Sequence, residues 1–275
     1  MIALKSPRDI FRRENEPMSE TNQCAIKNPQ HAACTCRHRY CPRRIHAILG
    51  VVVGLFVIAH VSIALTGLWP ERYQALVDQI HRLGPALPAL ELALVFIPLL
   101  AQVGYGLRML VKVGMAYHTD KKSRGGEMRF FLQRLSAIIL LWFLGFHVAT
   151  MHRWGFHLLY DVTGADALTG YKAAGLFHPN GQAFQSTALA IRSYWSPEAS
   201  RHPANLVVVA FYALGIWAVC YHLANGLATS AMAWGITVTE MSQRRCTLLC
   251  VGIGAALTVA GTAAWYAFAF GSPSG

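Results

Sequence analysis

Five long apolar runs, separated by polar and basic segments, dominate the chain. Each is close to or above the roughly 20 residues that an α-helix needs to cross the hydrocarbon layer of a bilayer. The runs cover residues 45–68, 88–113, 130–151, 205–234 and 246–270. The pattern predicts an all-α membrane protein, a bundle of five transmembrane helices within residues 45–270.

The first 44 residues are polar and basic, and they contain several prolines. The first apolar run starts too late and is too long for a signal peptide. We interpret residues 1–44 as a mostly disordered arm on the cytoplasmic side. The arm contains four cysteines whose spacing matches no zinc-binding signature. These are Cys24, Cys34, Cys36 and Cys41.

Composition supports a membrane protein. The chain is 54% hydrophobic and 13% charged, whereas soluble domains average about 25% charged residues. A net charge of +11 is compatible with nucleic-acid binding in principle. The basic residues are clustered between the apolar runs, however, so membrane topology explains them more simply and no nucleic-acid partner is expected.

The distribution of basic residues predicts the orientation. With an odd number of spans, the arm shares one side with the loops after the second and fourth runs, and this side holds 18 of the 24 Lys and Arg residues. The positive-inside rule places the N-terminus in the cytoplasm and the C-terminus outside, in the inner (cytoplasmic) membrane of the cell. In the long outer loop, 152–203, the stretch AFQSTALAIRSYW favours an amphipathic helix on the outer surface.

Four polar side chains lie inside the apolar runs: His60, Gln102, His147 and His222. Ionisable groups in hydrocarbon are costly and indicate function. At a rise of about 1.5 Å per residue, His60 and His147 lie about 22 and 26 Å from the cytoplasmic ends of their helices. Gln102 and His222 lie about 16 and 18 Å from those ends. The four positions therefore form an outer pair and an inner pair.

Two histidines that face each other at one depth suit a b-type haem, whose iron takes one axial nitrogen on each face. A hydrogen bond between helices is the simpler alternative for any single histidine, and zinc is disfavoured because further ligands are missing. Pro98, one turn before Gln102, is expected to loosen its helix. The remaining histidines are interpreted as surface residues: His46, His81, His118, His152, His157, His178 and His202.

Three stretches resemble the cytochrome b membrane subunit of succinate dehydrogenases and fumarate reductases, in the five-helix, single-subunit class that carries two haems. They are FIPLLAQVGYGL, LQRLSAIILLWFLGFHV and YHLANGLATSAMAWGITVTEMSQR. The resemblance covers residues 45–270. It implies that His60 and His147 bind the iron of an outer haem b and that His222 binds the iron of an inner one.

One position departs from the family pattern. Gln102 stands where the family has the second inner histidine, and glutamine is a poor axial ligand. The inner haem is then lost, five-coordinate through His222, or completed by an unexpected ligand; Met109 is too far along the helix to serve. Arg134 is a candidate contact for a haem propionate, or else an interfacial anchor.

The family role is that of a membrane anchor and electron conduit, not of the succinate-converting subunit itself. A flavoprotein partner oxidises succinate to fumarate or runs the reverse, and an iron–sulfur partner exchanges electrons with this subunit and thereby with membrane quinone. The chain has no dinucleotide-binding glycine motif and no cysteine cluster for iron–sulfur centres. Two alternatives remain: a structural anchor poor in haem, and a haem b subunit of another membrane dehydrogenase.

Overall fold

A computed structural model describes residues 42–113, 124–152, 177, 179–192 and 206–271. Within these ranges the regular structure is helical, without strands. Residues 1–41, with the four cysteines of the arm, lie outside them, as do His118, His157, His178 and His202.

The predicted five-helix architecture is confirmed. The described residues contain five helical segments long and apolar enough to cross a membrane, each of 22 to 31 residues. They are Arg44–Leu68, Ala86–Val111, Met128–Ala149, Leu206–Ala233 and Glu240–Phe270. These bounds agree with the apolar runs to within a few residues at most ends.

The helices are numbered here in chain order. Helix α1 (Pro42–Leu65) leads through a 3₁₀ turn (Thr66–Leu68) into α2 (Pro70–His81). The second span consists of α3 (Ala86–Glu91), a π-helical turn (Leu92–Phe96) and α4 (Ile97–Val113). The remaining helices are α5 (Arg124–Met151), α6 (Pro179–Arg192), α7 (Leu206–Ala233) and α8 (Glu240–Phe270).

The π-helical turn has a cause in the sequence. Pro98 lacks a backbone N–H, and its ring clashes with the carbonyl group four residues earlier in a regular helix. The chain widens just before it, so that the Ile97 N–H donates to the carbonyl of Leu92, five residues back. The loosening expected at Pro98 is therefore present, displaced into the turn that precedes it.

Two helices begin earlier than their apolar runs. Helix α8 starts at Glu240 rather than at residue 246, because Thr239 and Ser242 form a capping box that satisfies the first backbone N–H groups. Helix α5 starts at Arg124 rather than at residue 130. Hydrophobicity marks only the part of a helix that enters the apolar layer. The apolar runs therefore underestimated the lengths of both helices.

Helix α7 is central to the bundle and contacts α1, α5 and α8. Small residues allow α8 to approach it closely. A Cβ atom on Gly254 would lie 2.6 Å from the Cβ of Ala224, and one on Gly261 would lie 2.7 Å from the Ile216 side chain. Such contacts are typical of membrane helices, where close backbone approach replaces the hydrophobic effect as the source of association.

The helix predicted in the outer loop is α6, and its buried face contacts protein. Tyr73 of α2 shares a hydrogen bond with Thr187 (3.2 Å), and Phe184 contacts Phe268 at the end of α8. Arg192 donates to the carbonyls of Ala269 and Gly271. A cation at a helix C-terminus is favourable, so α6 stabilises the end of α8.

The substitution Gly254→Ala should destabilise the protein, because the new methyl group overlaps Ala224 across the seam between α7 and α8. Overpacking of this kind costs about 1–3 kcal/mol. The matched control is Gly252→Ala in the same helix, where an added Cβ meets nothing within 4 Å. Thermal unfolding of the detergent-solubilised protein should show a lower midpoint for Gly254→Ala alone; equal midpoints for the two variants would contradict this packing.

Candidate functional site

The structure brings together the outer pair of histidines. The ring centroids of His60, on α1, and His147, on α5, lie 5.9 Å apart with an interplanar angle of 78°. An imidazole nitrogen binds a transition metal at about 2 Å, so two rings that share one metal ion have centroids about 6 Å apart. His60 is exposed in the isolated chain, which leaves its ring accessible to a cofactor.

Aromatic side chains orient both rings. Phe56 stacks on His60 (5.5 Å) and Phe143 stacks on His147 (5.6 Å). In each helix the phenylalanine precedes the histidine by four residues, the spacing at which side chains meet on one helix face. Tyr212 of α7 contacts both Phe143 and His147 edge-on. The repeated Phe-x₃-His spacing was visible in the sequence and was missed there.

His152 lies close to this outer pair and is not a surface residue, contrary to the sequence interpretation. It is half-buried just beyond the end of α5, and its ring contacts Phe96 edge-on at 5.2 Å. Burial lowers the pKa of His152, and the carboxylate of Glu91 partly opposes this shift. The neutral ring therefore extends the aromatic wall of the outer site toward the membrane surface.

The inner pair lines a cavity of ≈ 610 Å³ enclosed by α1, α4, α5 and α7. Gln102 and His222 both border it, as their common depth predicted. Its size lies within the range of about 300–1,000 Å³ found for pockets that enclose small molecules and cofactors. Most of the lining is aliphatic, and the polar lining residues include His46, Gln102, Gln133, Arg134 and His222.

Hydrogen bonds favour one tautomer of His222. Its Nδ1 lies 3.1 Å from Ser136 Oγ, and the Ser136 hydroxyl donates its single proton to the carbonyl of Gln133. With its proton on the Gln133 carbonyl, Ser136 Oγ can accept from His222 Nδ1–H, and this tautomer leaves the lone pair on Nε2. A partner of this kind on the second ring nitrogen is typical of metal-binding histidines.

A polar network between α5 and α7 supports this arrangement. Arg129 donates twice to Asn225 Oδ1, and Asn225 Nδ2 donates to Gln133 Oε1 (2.8 Å). Gln133 Nε2 in turn donates to the backbone carbonyl of His222 (3.2 Å). The network fixes the segment of α7 that presents His222 to the cavity.

His46 was interpreted as a surface residue, and this was wrong. It is half-buried, lines the inner cavity, and places its Nε2 3.3 Å from Gln102 Nε2. The sequence spacing already indicated that His46 faces the interior. His46 precedes His60 by 14 residues, which is about four helical turns. Both histidines therefore lie on similar faces of α1, one at each site.

Arg134 borders the same cavity. Its guanidinium group lies 3.5 Å from the ring centroid of Phe130, one turn earlier in α5. The stacked position holds a cation at the border of the cavity.

These residues fit haem better than an isolated metal ion. Within the described ranges, no group of three or more His, Cys, Asp or Glu side chains could hold a metal ion. A porphyrin supplies four nitrogens of its own and needs the protein only for the axial positions. Two facing imidazoles among aromatic rings meet that need at the outer site.

Among curated proteins, the chain is similar to the succinate dehydrogenase cytochrome b558 subunit of Bacillus subtilis (strain 168), with 30% identity over 233 residues. The similarity covers 82% of this chain and 95% of the relative. No family model matches the chain, and no solved structure matches it.

The similarity extends over nearly the whole length of the relative and agrees with the five spanning helices. It also sets aside the alternative of an anchor for a different dehydrogenase. The chain belongs to the family of succinate dehydrogenase cytochrome b subunits, which anchor that complex in the membrane.

Proposed function

We propose that His60 and His147 are the axial ligands of a haem b, and that the subunit conducts electrons between an iron–sulfur partner and membrane quinone. The observation that carries this proposal is the 5.9 Å separation of the two imidazole rings. Haem, when bound, supplies an iron centre that takes up and releases one electron at a time.

The chain's own residues orient this centre and shield its His147 side. Phe56 and Phe143 hold the two imidazoles in position, so little rearrangement accompanies a change of charge at the iron. Tyr212 and Phe143 are almost completely buried, which keeps water away from the His147 side. Burial and axial ligand type are the main means by which a protein adjusts a haem potential.

The inner cavity is proposed as a second haem site. His222 presents an unprotonated Nε2 there because Ser136 holds its other nitrogen. Arg134 is placed to bind a propionate group, since guanidinium and carboxylate form strong charge-assisted hydrogen bonds. Two haems at different depths shorten each electron-transfer step across the bilayer.

The partners follow from the family and from the charge distribution. A flavoprotein and an iron–sulfur subunit carry the chemistry of succinate or fumarate, and the basic side of the bundle, which we assign to the cytoplasm, binds them. In this orientation the outer histidine pair lies in the outer half of the inner membrane. His60 and His147 would hold the haem through which electrons would pass to membrane quinone.

One observation favours a second candidate function, an anchor of the same complex that is poor in haem. Gln102 replaces the inner histidine of the family pattern, and its amide nitrogen carries donors but no available lone pair. In that alternative the inner cavity holds no cofactor, and haem content separates the two proposals.

Replacing His147 by alanine should abolish the low-spin haem signal of the outer site, because one of its two axial nitrogens is removed. The measurement is the reduced-minus-oxidised spectrum of the purified complex, with haem content from the pyridine haemochrome. His81→Ala is the control, since His81 lies in α2, away from both histidine pairs, and among the described residues it hydrogen-bonds to the Val77 carbonyl of its own helix and contacts the Phe177 ring. An unchanged spectrum in His147→Ala would refute the assignment.

Replacing Ser136 by alanine should weaken haem binding at the inner site, because the His222 ring loses the acceptor that holds its Nδ1 proton. Loss of such a partner typically reduces affinity by about 10- to 100-fold. Haem retained per chain after extended detergent washing measures the effect. Ser62→Ala, which removes only a hydroxyl bonded to Ile58 of its own helix, should retain as much haem as the unsubstituted protein; equal retention in Ser136→Ala would argue against this role.

A further inference from the structure

The inner cavity raises a specific chemical question. His222 on α7 offers one axial nitrogen, whereas the side chain opposite on α4, Gln102, ends in an amide. A six-coordinate, low-spin haem needs a second nitrogen with an available lone pair. The Gln102 amide cannot supply this second nitrogen, so it has to come from another residue of the cavity.

The contact between His46 and Gln102 is compatible with a lone pair on His46 Nε2. Gln102 Nε2 is a donor only, so the contact at 3.3 Å is a hydrogen bond in the tautomer in which His46 Nε2 accepts. The proton of that tautomer resides on Nδ1. An unprotonated imidazole nitrogen then lies beside the position where the side chain of residue 102 ends.

The other two polar atoms of this pair are not satisfied. His46 Nδ1 and Gln102 Oε1 are buried, and neither has a hydrogen-bond partner within the described part of the chain. Leaving buried polar atoms unpaired costs about 1–3 kcal/mol each. The present contact between His46 and Gln102 is therefore a weak constraint, and the imidazole is free to exchange it for a stronger bond.

Two glycines leave space around this pair. A Cβ atom on Gly106 would lie 3.4 Å from His46 Cε1, and one on Gly50 would lie 3.1 Å from Gln102 Nε2. A larger residue at either position would press against the imidazole or the amide. The glycines therefore let the helix backbones approach this pair closely, at the edge of the cavity that His222 also borders.

We infer that His46 supplies the second axial nitrogen of the inner haem, opposite His222, in place of a histidine at position 102. The inference rests on the proposed haem function of the inner cavity. In the tautomer with an unprotonated His46 Nε2, its bond to iron releases no proton. Helix α1 then provides one ligand to each site, His60 to the outer haem and His46 to the inner haem.

The test uses the purified complex and the spin state of its haems. The unsubstituted protein should contain two low-spin haems per chain, and its reduced form should not bind carbon monoxide. In His46→Ala the inner haem becomes five-coordinate through His222. One haem per chain should therefore become high-spin in electron paramagnetic resonance and bind carbon monoxide when reduced, while the other keeps its low-spin signal.

A second variant separates loss of a ligand from loss of folding. His46→Ala combined with Gln102→His places an imidazole on α4, and it should restore the second low-spin haem. Gln102→Ala alone should keep both low-spin signals, because glutamine is not the ligand. His81→Ala should resemble the unsubstituted protein. The low-spin signal of the outer haem reports in every variant that the bundle is folded.

Four results would overturn the inference, three of which concern the spin state or carbon monoxide binding of the second haem. These three are two low-spin haems in His46→Ala, a carbon monoxide-binding haem in the unsubstituted protein, and loss of the second low-spin haem in Gln102→Ala. The fourth is a single low-spin haem in the unsubstituted protein. None of these outcomes affects the outer haem, whose assignment depends separately on His147→Ala.

Discussion

The bundle is constrained by the absence of water in the hydrocarbon layer. A polar side chain there must pair with another protein group or with a bound ligand, since an unpaired group is costly. The chain satisfies this constraint on α5 and α7 with the network of Arg129, Asn225 and Gln133. Two buried atoms without a hydrogen-bond partner among the described residues, His46 Nδ1 and Gln102 Oε1, lie at the cavity that we assign to a cofactor.

Helix α7 connects the two sites. Its outer part carries Tyr212, which contacts the His147 ring, and its inner part carries His222. Close packing against α8, through Gly254 and Gly261, holds this helix together with hydrogen bonds from Trp217 and Trp265 across the same seam. The two sites therefore share one rigid element, which suits successive electron transfer over a fixed distance.

At both sites the orientation of a histidine ring is restricted by its neighbours. At the outer site, aromatic stacking restricts the rings of His60 and His147. At the inner site a hydrogen bond to Ser136 favours one tautomer of His222. Each of these contacts restricts the orientation of its ring, which reduces the conformational entropy that the ring would lose on binding a ligand.

The sequence by itself determined the five spanning helices, because the length of an apolar run is set directly by the thickness of the bilayer. It also determined the depth of His60, Gln102, His147 and His222, because the rise of a helix is constant. Depth and the family resemblance predicted the pairing of His60 with His147, but only the tertiary structure showed that their rings lie 5.9 Å apart. Only packing between α1 and α4 showed that His46, assigned to the surface from its place near the end of a run, lies against Gln102 in the inner cavity. The start of α8 at Glu240 was likewise decided by capping hydrogen bonds, which hydrophobicity does not report.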